Sequence, residues 1–234
     1  MNSLVFRFKS GRFIWTVLVT AYFLIFFTNF FSDTIPDRLV IPLIFSYSFV
    51  LWLAVEYYFG SPFFQSGIVE PSPIWRAFFA FFVYPYLGYL GADFIWWHWT
   101  QLPVPNYISG ILGLLIFGFG VYLRLATLFS FLRIIQIKPG SDQVLIPAKK
   151  FFNLKWQRFC RQPRYLATLI QLIGAAFAFN SYGGLILTLI IGFPLILIQA
   201  RYEEGLLKLQ LKADYEEYSH SVPLLIPKKV LKNR

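Results

Sequence analysis

Arg161-Gln162-Pro163-Arg164-Tyr165 opens an apolar stretch, Leu166 to Ala200, that Arg201-Tyr202-Glu203-Glu204 closes. That stretch is too long for one straight membrane crossing, and Asn180-Ser181-Tyr182-Gly183-Gly184 breaks it near its middle. It therefore predicts a helical hairpin of two short arms of about 15 to 18 residues each, near the lower limit for spanning a bilayer. Charged residues at both ends of a membrane segment are candidates for function, because lipid is a poor solvent for charge.

The rest of the chain has the same character. Of 234 residues, 57% are hydrophobic, 21% aromatic and only 14% charged, which excludes an ordinary soluble domain. Phe13 to Phe31, Leu39 to Phe59, Ala77 to Trp97 and Tyr107 to Phe129 are each about the 20 residues that cross a hydrocarbon core. The expected fold is all-α: a polytopic membrane bundle of four spans, a C-terminal helical hairpin, and amphipathic C-terminal helices beyond it. Leu206, Leu207, Leu209 and Leu211 give those helices an apolar side, and Asp214-Tyr215-Glu216-Glu217 reads as a capping box that starts a final short helix.

Arg7, Lys9 and Arg12 precede the first span, and the Lys and Arg residues from Arg133 to Arg164 and from Arg201 to Arg234 fall on the same side in this topology. Arg38 alone lies opposite. The positive-inside rule makes both termini and the basic loop cytoplasmic. The net charge of +10 then reads as attraction to anionic membrane lipids, with no nucleic acid partner implied. The first apolar run is too long for the core of a cleaved signal peptide. Cys160 is the single cysteine, and His98 and His220 the only histidines, so neither an internal disulfide nor a metal centre is expected. The chain reads as one membrane domain, residues 1–105 supplying N-terminal spans and 106–234 carrying the motifs.

In the fourth span Gly118, Gly120 and Arg124 follow one another, and Arg124 shares a face with Gly120 one turn away. The small residue reads either as tight helix packing or as a close approach to a ligand. Arg124 reads as a snorkelling interfacial cation or as a partner for an anionic group. Glu203 and Glu204 read either as the solvated start of a helix, with Glu204 facing Lys208, or as functional carboxylates at the exit of a membrane hairpin.

Taken in order, Gly118, Gly120 and Arg124; Arg161, Pro163 and Tyr165; Asn180; Glu203 and Glu204; and Tyr215, Tyr218, Val222, Pro223 and Pro227 resemble the motifs of the isoprenylcysteine carboxyl methyltransferase and phospholipid N-methyltransferase superfamily. The likeness spans about half the chain, from Gly118 to Pro227. It implies a cytoplasmic-side site for S-adenosylmethionine that opens laterally to a lipid or other lipophilic acceptor. By that resemblance Glu203 and Glu204 would meet the cofactor's ammonium or ribose hydroxyls, Arg161 or Arg124 its carboxylate, Tyr165 its ring, and Gly118 and Gly120 would allow close backbone approach. Gln162 stands where the family has histidine, Ala167 where it has glycine, and the family's upstream Gly-Pro-Tyr is absent. Glutamine hydrogen bonds but does not titrate near neutrality. Two other readings compete: a non-catalytic membrane subunit that keeps the fold, and an NADPH enzyme of the sterol-reductase type, which shares the Pro-x-Tyr motif and the tyrosine and proline tail.

The topology is checked by cysteine-accessibility labelling at Ser141 and at Asn106, expected to report opposite sides of the membrane. Labelling of both from one side would contradict it.

Overall fold

A computed structural model describes residues 39–65, 78–134, 136–137, 144–145 and 152–225. The expected first span, the basic residues before it, Arg38, Lys149 to Phe151 and Pro227 lie outside these. Within them the fold is all-α, apart from one antiparallel ladder of two residues per strand, β1 (Gln136–Ile137) with β2 (Val144–Leu145).

Helix α1 runs Val40–Gln65. A second helical run begins at Phe78 and comprises a π-helical turn Phe79–Val83, helix α2 (Tyr84–Ala92) and a second π-helical turn Asp93–Trp97, where His98 in the left-handed region ends it. Pro103 and Pro105, which cannot continue a helix from the preceding turn, separate it from α3 (Asn106–Leu132). Helix α4 (Pro163–Ala178) starts on proline, the residue best suited to a first helical position. Then come α5 (Tyr182–Leu187), a π-helical turn Thr188–Gly192, and α6 (Phe193–Ser221). Asn106–Phe131 and Tyr182–Leu209 are long and apolar enough to cross a membrane, by length and composition.

The hairpin forms where the sequence breaks. Asn180 takes a left-handed conformation with φ 53°, and Ser181 caps α5 by accepting from the Gly184 amide. The second arm is not short. Helical hydrogen bonding continues from Tyr182 to Ser221, so the expected separate C-terminal helices are one element with the hairpin, and Asp214 to Glu217 lie inside α6. No proline interrupts Leu195 to Ser221, and most of its residues are good helix formers. The axis is nevertheless far from straight. Glu204 and Ser219 would stand about 22 Å apart along an ideal helix, yet both meet one nitrogen of Arg161, at 2.8 and 2.9 Å. The helix must bend sharply between them, in a run that contains Gly205.

Helices α3 and α4 form the most extensive contact, antiparallel and backbone to backbone. A Cβ on Gly113 would lie 2.2 Å from the Ala178 nitrogen, and one on Gly174 2.5 Å from the Phe117 nitrogen. Ser109 donates to the Phe177 carbonyl at 2.8 Å. Aromatic rings fill the space toward α1: Phe45 meets Phe117 edge-on at 4.8 Å and Phe179 at 5.5 Å. Tyr86 donates to the Leu172 carbonyl at 2.8 Å and accepts from Thr188 at 3.0 Å, tying α2 to both arms.

A buried polar knot fastens the hairpin turn. The Asp93 carboxylate accepts from the Trp99 and Thr100 amides at 2.9 and 3.2 Å, and from the Thr100 and Ser181 hydroxyls at 2.6 and 3.2 Å. Asn180 donates to Asn106 at 2.6 Å, so the turn reaches the start of α3. Gly174→Val should therefore lower stability by roughly 1 to 3 kcal/mol or more through overpacking. Gly118→Val, with no neighbouring atom within 4 Å, should stay within about 0.5 kcal/mol. Thermal unfolding of the purified protein in detergent measures both, and equal midpoints would refute the close backbone contact.

Candidate functional site

The polar residues at the far end of the hairpin come from three segments. Gln162 precedes α4, and its amide and that of Arg161 donate to the Leu224 and Pro223 carbonyls at 3.0 and 2.8 Å. The chain leaving α6 is thereby strapped against the start of α4. Arg161, Arg164 and Tyr165 are thus held opposite Glu203 and Glu204 of α6.

Each glutamate takes its own arginine. One Arg164 nitrogen donates to both Glu203 oxygens at 2.9 Å, and the Tyr165 hydroxyl donates to the same carboxylate. Gln199, one turn earlier on α6, reaches Glu203 at 3.5 Å. Arg161 pairs with Glu204 at 2.8 Å, and the Tyr215 hydroxyl donates to that carboxylate at 3.2 Å. The two glutamate side chains are only 11% and 12% exposed, so these are largely desolvated pairs, and losing one partner would strand a buried charge. Two donors in the cluster, Arg161 Nε and Gln162 Nε2, are buried with no hydrogen-bond partner among the described residues.

Arg124 is buried below this cluster. It donates to the Arg164 carbonyl at 3.2 Å and to Thr168, and its guanidinium lies 5.7 Å from the centre of the Trp52 ring. It does share a face with Gly120. The close approach at Gly120 is made by α4, since a Cβ there would lie 2.7 Å from the Gln171 side chain and 3.0 Å from the Ala167 carbonyl. Gly118 faces outward. Of the residues singled out from sequence, Arg161, Gln162, Tyr165, Glu203 and Glu204 gather in one cluster, Arg124 supports it from beneath, and the glycines stand apart.

Arg164 was missed by sequence reasoning as a site residue. Its signal was available: two arginines three positions apart face two adjacent glutamates. Asp93 was also missed, because nothing local marks an aspartate whose partners are backbone amides and hydroxyls.

Beside the cluster, Tyr215 and Tyr218 pack on Phe152, the latter with ring centres 4.6 Å apart, and Tyr218 donates to the Gln157 carbonyl at 2.7 Å. Burial is the main force raising both hydroxyl pKa values, with the negative Glu204 second at Tyr215. Burial likewise pushes the Cys160 thiol up to about 12. These three groups remain protonated at neutral pH. Among the described residues no group of three His, Cys, Asp or Glu could hold a metal ion. What the cluster offers is matched charge of both signs.

No protein-family model, curated protein or solved structure matches this chain.

The thiol has a pH signature. Its folded value lies above the ordinary value of 9.0, so its contribution to stability is complete below about pH 9 and is lost as pH rises toward 12, where the unfolded chain ionises first. Maleimide labelling of Cys160 at pH 7.5 should be slow in the folded protein and fast after denaturation. Equal rates would contradict its burial.

Proposed function

We propose that this protein is an integral, multi-pass membrane enzyme that transfers a methyl group from S-adenosylmethionine to a lipophilic acceptor, with both termini cytoplasmic. The observation that carries the reading is the two arginine–glutamate pairs, flanked in sequence by Arg161 Nε and Gln162 Nε2, which are buried with no hydrogen-bond partner among the described residues. An amino acid's carboxylate and ammonium both find charge of the opposite sign in such a set. A site carrying a single sign of charge could not receive both.

The fit is residue by residue. Arg161 offers its buried Nε to a carboxylate while another nitrogen stays on Glu204 and the Ser219 carbonyl. Gln162 Nε2 adds a neutral donor. Glu204 accepts from an ammonium or a ribose hydroxyl, with Glu203 beside it held by Arg164 and Tyr165. Arg124 is a positioning residue that fixes the first turn of α4 through the Arg164 carbonyl. Bound S-adenosylmethionine supplies a methyl carbon already activated by a positive sulfur, so alignment and exclusion of water are the protein's main tasks. The site lies at the end of the apolar hairpin, where a soluble donor and a lipid acceptor can meet. The segregation of Lys and Arg and the two apolar helices support the multi-pass topology.

A second reading, a non-catalytic membrane subunit, is favoured by one observation: the cluster's two arginines and two glutamates pair with and neutralise each other. Calorimetric titration with S-adenosylmethionine, and separately with NADPH, decides between them. Binding of the first alone is expected. Replacing Glu203 and Glu204 by glutamine should weaken it by roughly 1.5 to 3 kcal/mol in protein whose helical circular dichroism is retained. Gln162→His should change it by less than about tenfold, or 1.4 kcal/mol. If neither cofactor binds, the subunit reading stands in place of the methyltransferase.

A further inference from the structure

The outer face of α3 carries an apolar band with a tyrosine at each end. Between the exposed Tyr107 and Tyr122 the exposed residues are Ile108, Ile111, Leu112, Leu115, Gly118 and Phe119. None has a polar side chain. The two tyrosines stand 15 positions apart on one unbroken α-helix, so about 22 Å of axis separates them. Tyrosine, with an apolar ring and a polar tip, suits the boundary between hydrocarbon and headgroups.

Polar chemistry gathers at the level of each tyrosine. Asn106, next to Tyr107, accepts from Asn180 at 2.6 Å, which brings the hairpin turn to the same level. There the exposed Trp97 and Trp99 stack with ring centres 5.2 Å apart, and the exposed Tyr182 donates to the Trp99 carbonyl at 3.4 Å. At the other end Tyr122 meets Trp156 edge-on at 6.3 Å, and Lys155 Nζ lies 5.2 Å from the centre of that indole. Lys155 and Arg158 are both exposed, and exposed cations favour headgroups over hydrocarbon. Tyr122 therefore marks a second boundary. Beyond it the chain clothes α3 itself, with Phe131 packed against Tyr215 and Tyr218.

Helix α4 gives a similar depth by a separate route. It joins the turn to the charged cluster in 16 residues, or about 24 Å. A typical hydrocarbon core is about 30 Å thick.

We propose that this band is a lipid-facing surface about 22 to 24 Å deep, whose partner is the acyl region of a bilayer thinner than the usual one. Its neutral edge is the tryptophan and tyrosine group around the hairpin turn, and its basic edge is Tyr122 with the Trp156 segment. A bilayer thicker than the band is drawn thinner around it. The proposal rests on membrane insertion of the chain and not on methyl transfer.

Nitroxide labels test it, placed singly through Tyr107→Cys, Leu115→Cys and Tyr122→Cys in the full chain in dioleoylphosphatidylcholine vesicles, with the buried Cys160 retained. The ratio of collision with oxygen to collision with a soluble nickel chelate should be at least threefold higher at Leu115, midway along the band, than at either tyrosine position. A ratio at Tyr122 equal to that at Leu115 would place the boundary farther along α3 and overturn the short band. Low access of both reagents to Leu115 would mean that protein, not lipid, covers the face, and would overturn it too. Free access of the chelate to all three positions would remove membrane insertion itself. The unsubstituted chain supplies a second measurement: tryptophan quenching in mixtures with brominated phosphatidylcholine should rank dimyristoleoylphosphatidylcholine above dioleoyl- and dierucoylphosphatidylcholine in affinity. Tightest association with either longer lipid would overturn the proposal.

Discussion

The backbone contact between α3 and α4 is the constraint on which the other features rest. Small residues let the two backbones close, so that packing and hydrogen bonds can hold the pair. Gly113, Gly174 and Gly120 supply that contact along the whole length of α4. The register they set brings Arg124 to Thr168 and the Arg164 carbonyl at one end, and Ser109 to the Phe177 carbonyl at the other. A slip of one turn would press side chains into backbone at the three glycine positions and leave the buried Arg124 without its acceptors.

The two ends of this helix pair bury carboxylates in different ways. Asp93 is held by two backbone amides and two hydroxyls, with no cation among its hydrogen-bond partners in the described residues. Those dipoles are fixed by the loop that carries them, so the arrangement locks the hairpin turn and has nothing to exchange. Glu203 and Glu204 are instead neutralised by arginine side chains on another segment. A long side chain can change partners while the backbone stays in place. The first arrangement suits a fastening and the second suits a binding site.

Much of this was legible in the sequence, for definite reasons. The break at Asn180 to Gly184 was visible because polar and glycine residues interrupt an apolar run, and the extent of α3 followed from an unbroken apolar stretch behind two prolines. The shared face of Gly120 and Arg124 followed from helical periodicity, although only the fold reveals that α4 occupies the space at Gly120. The pairing of Arg161 with Glu204 and Arg164 with Glu203 was not legible, since it joins segments about 40 residues apart and depends on the side-by-side packing of α4 and α6. The C-terminal capping box misled because Asp214 to Glu217 matches a helix start, while nothing in the residues before it stops a helix already under way.

The bend in α6 follows from Arg161. One nitrogen of its guanidinium meets Glu204 on one limb of the helix and the Ser219 carbonyl on the other, while its backbone amide holds Pro223 beyond the helix end. Tyr215, reaching back to Glu204, closes the same angle from inside. A single cation thus compensates the buried glutamate, caps a carbonyl near the end of α6 and fastens the strap, which explains how a helix without a proline at its corner can hold so sharp a turn. The Nε of the same guanidinium and the Nε2 of Gln162, the next residue, are buried with no hydrogen-bond partner among the described residues. The contacts that hold α6 bent therefore use only part of the Arg161 guanidinium.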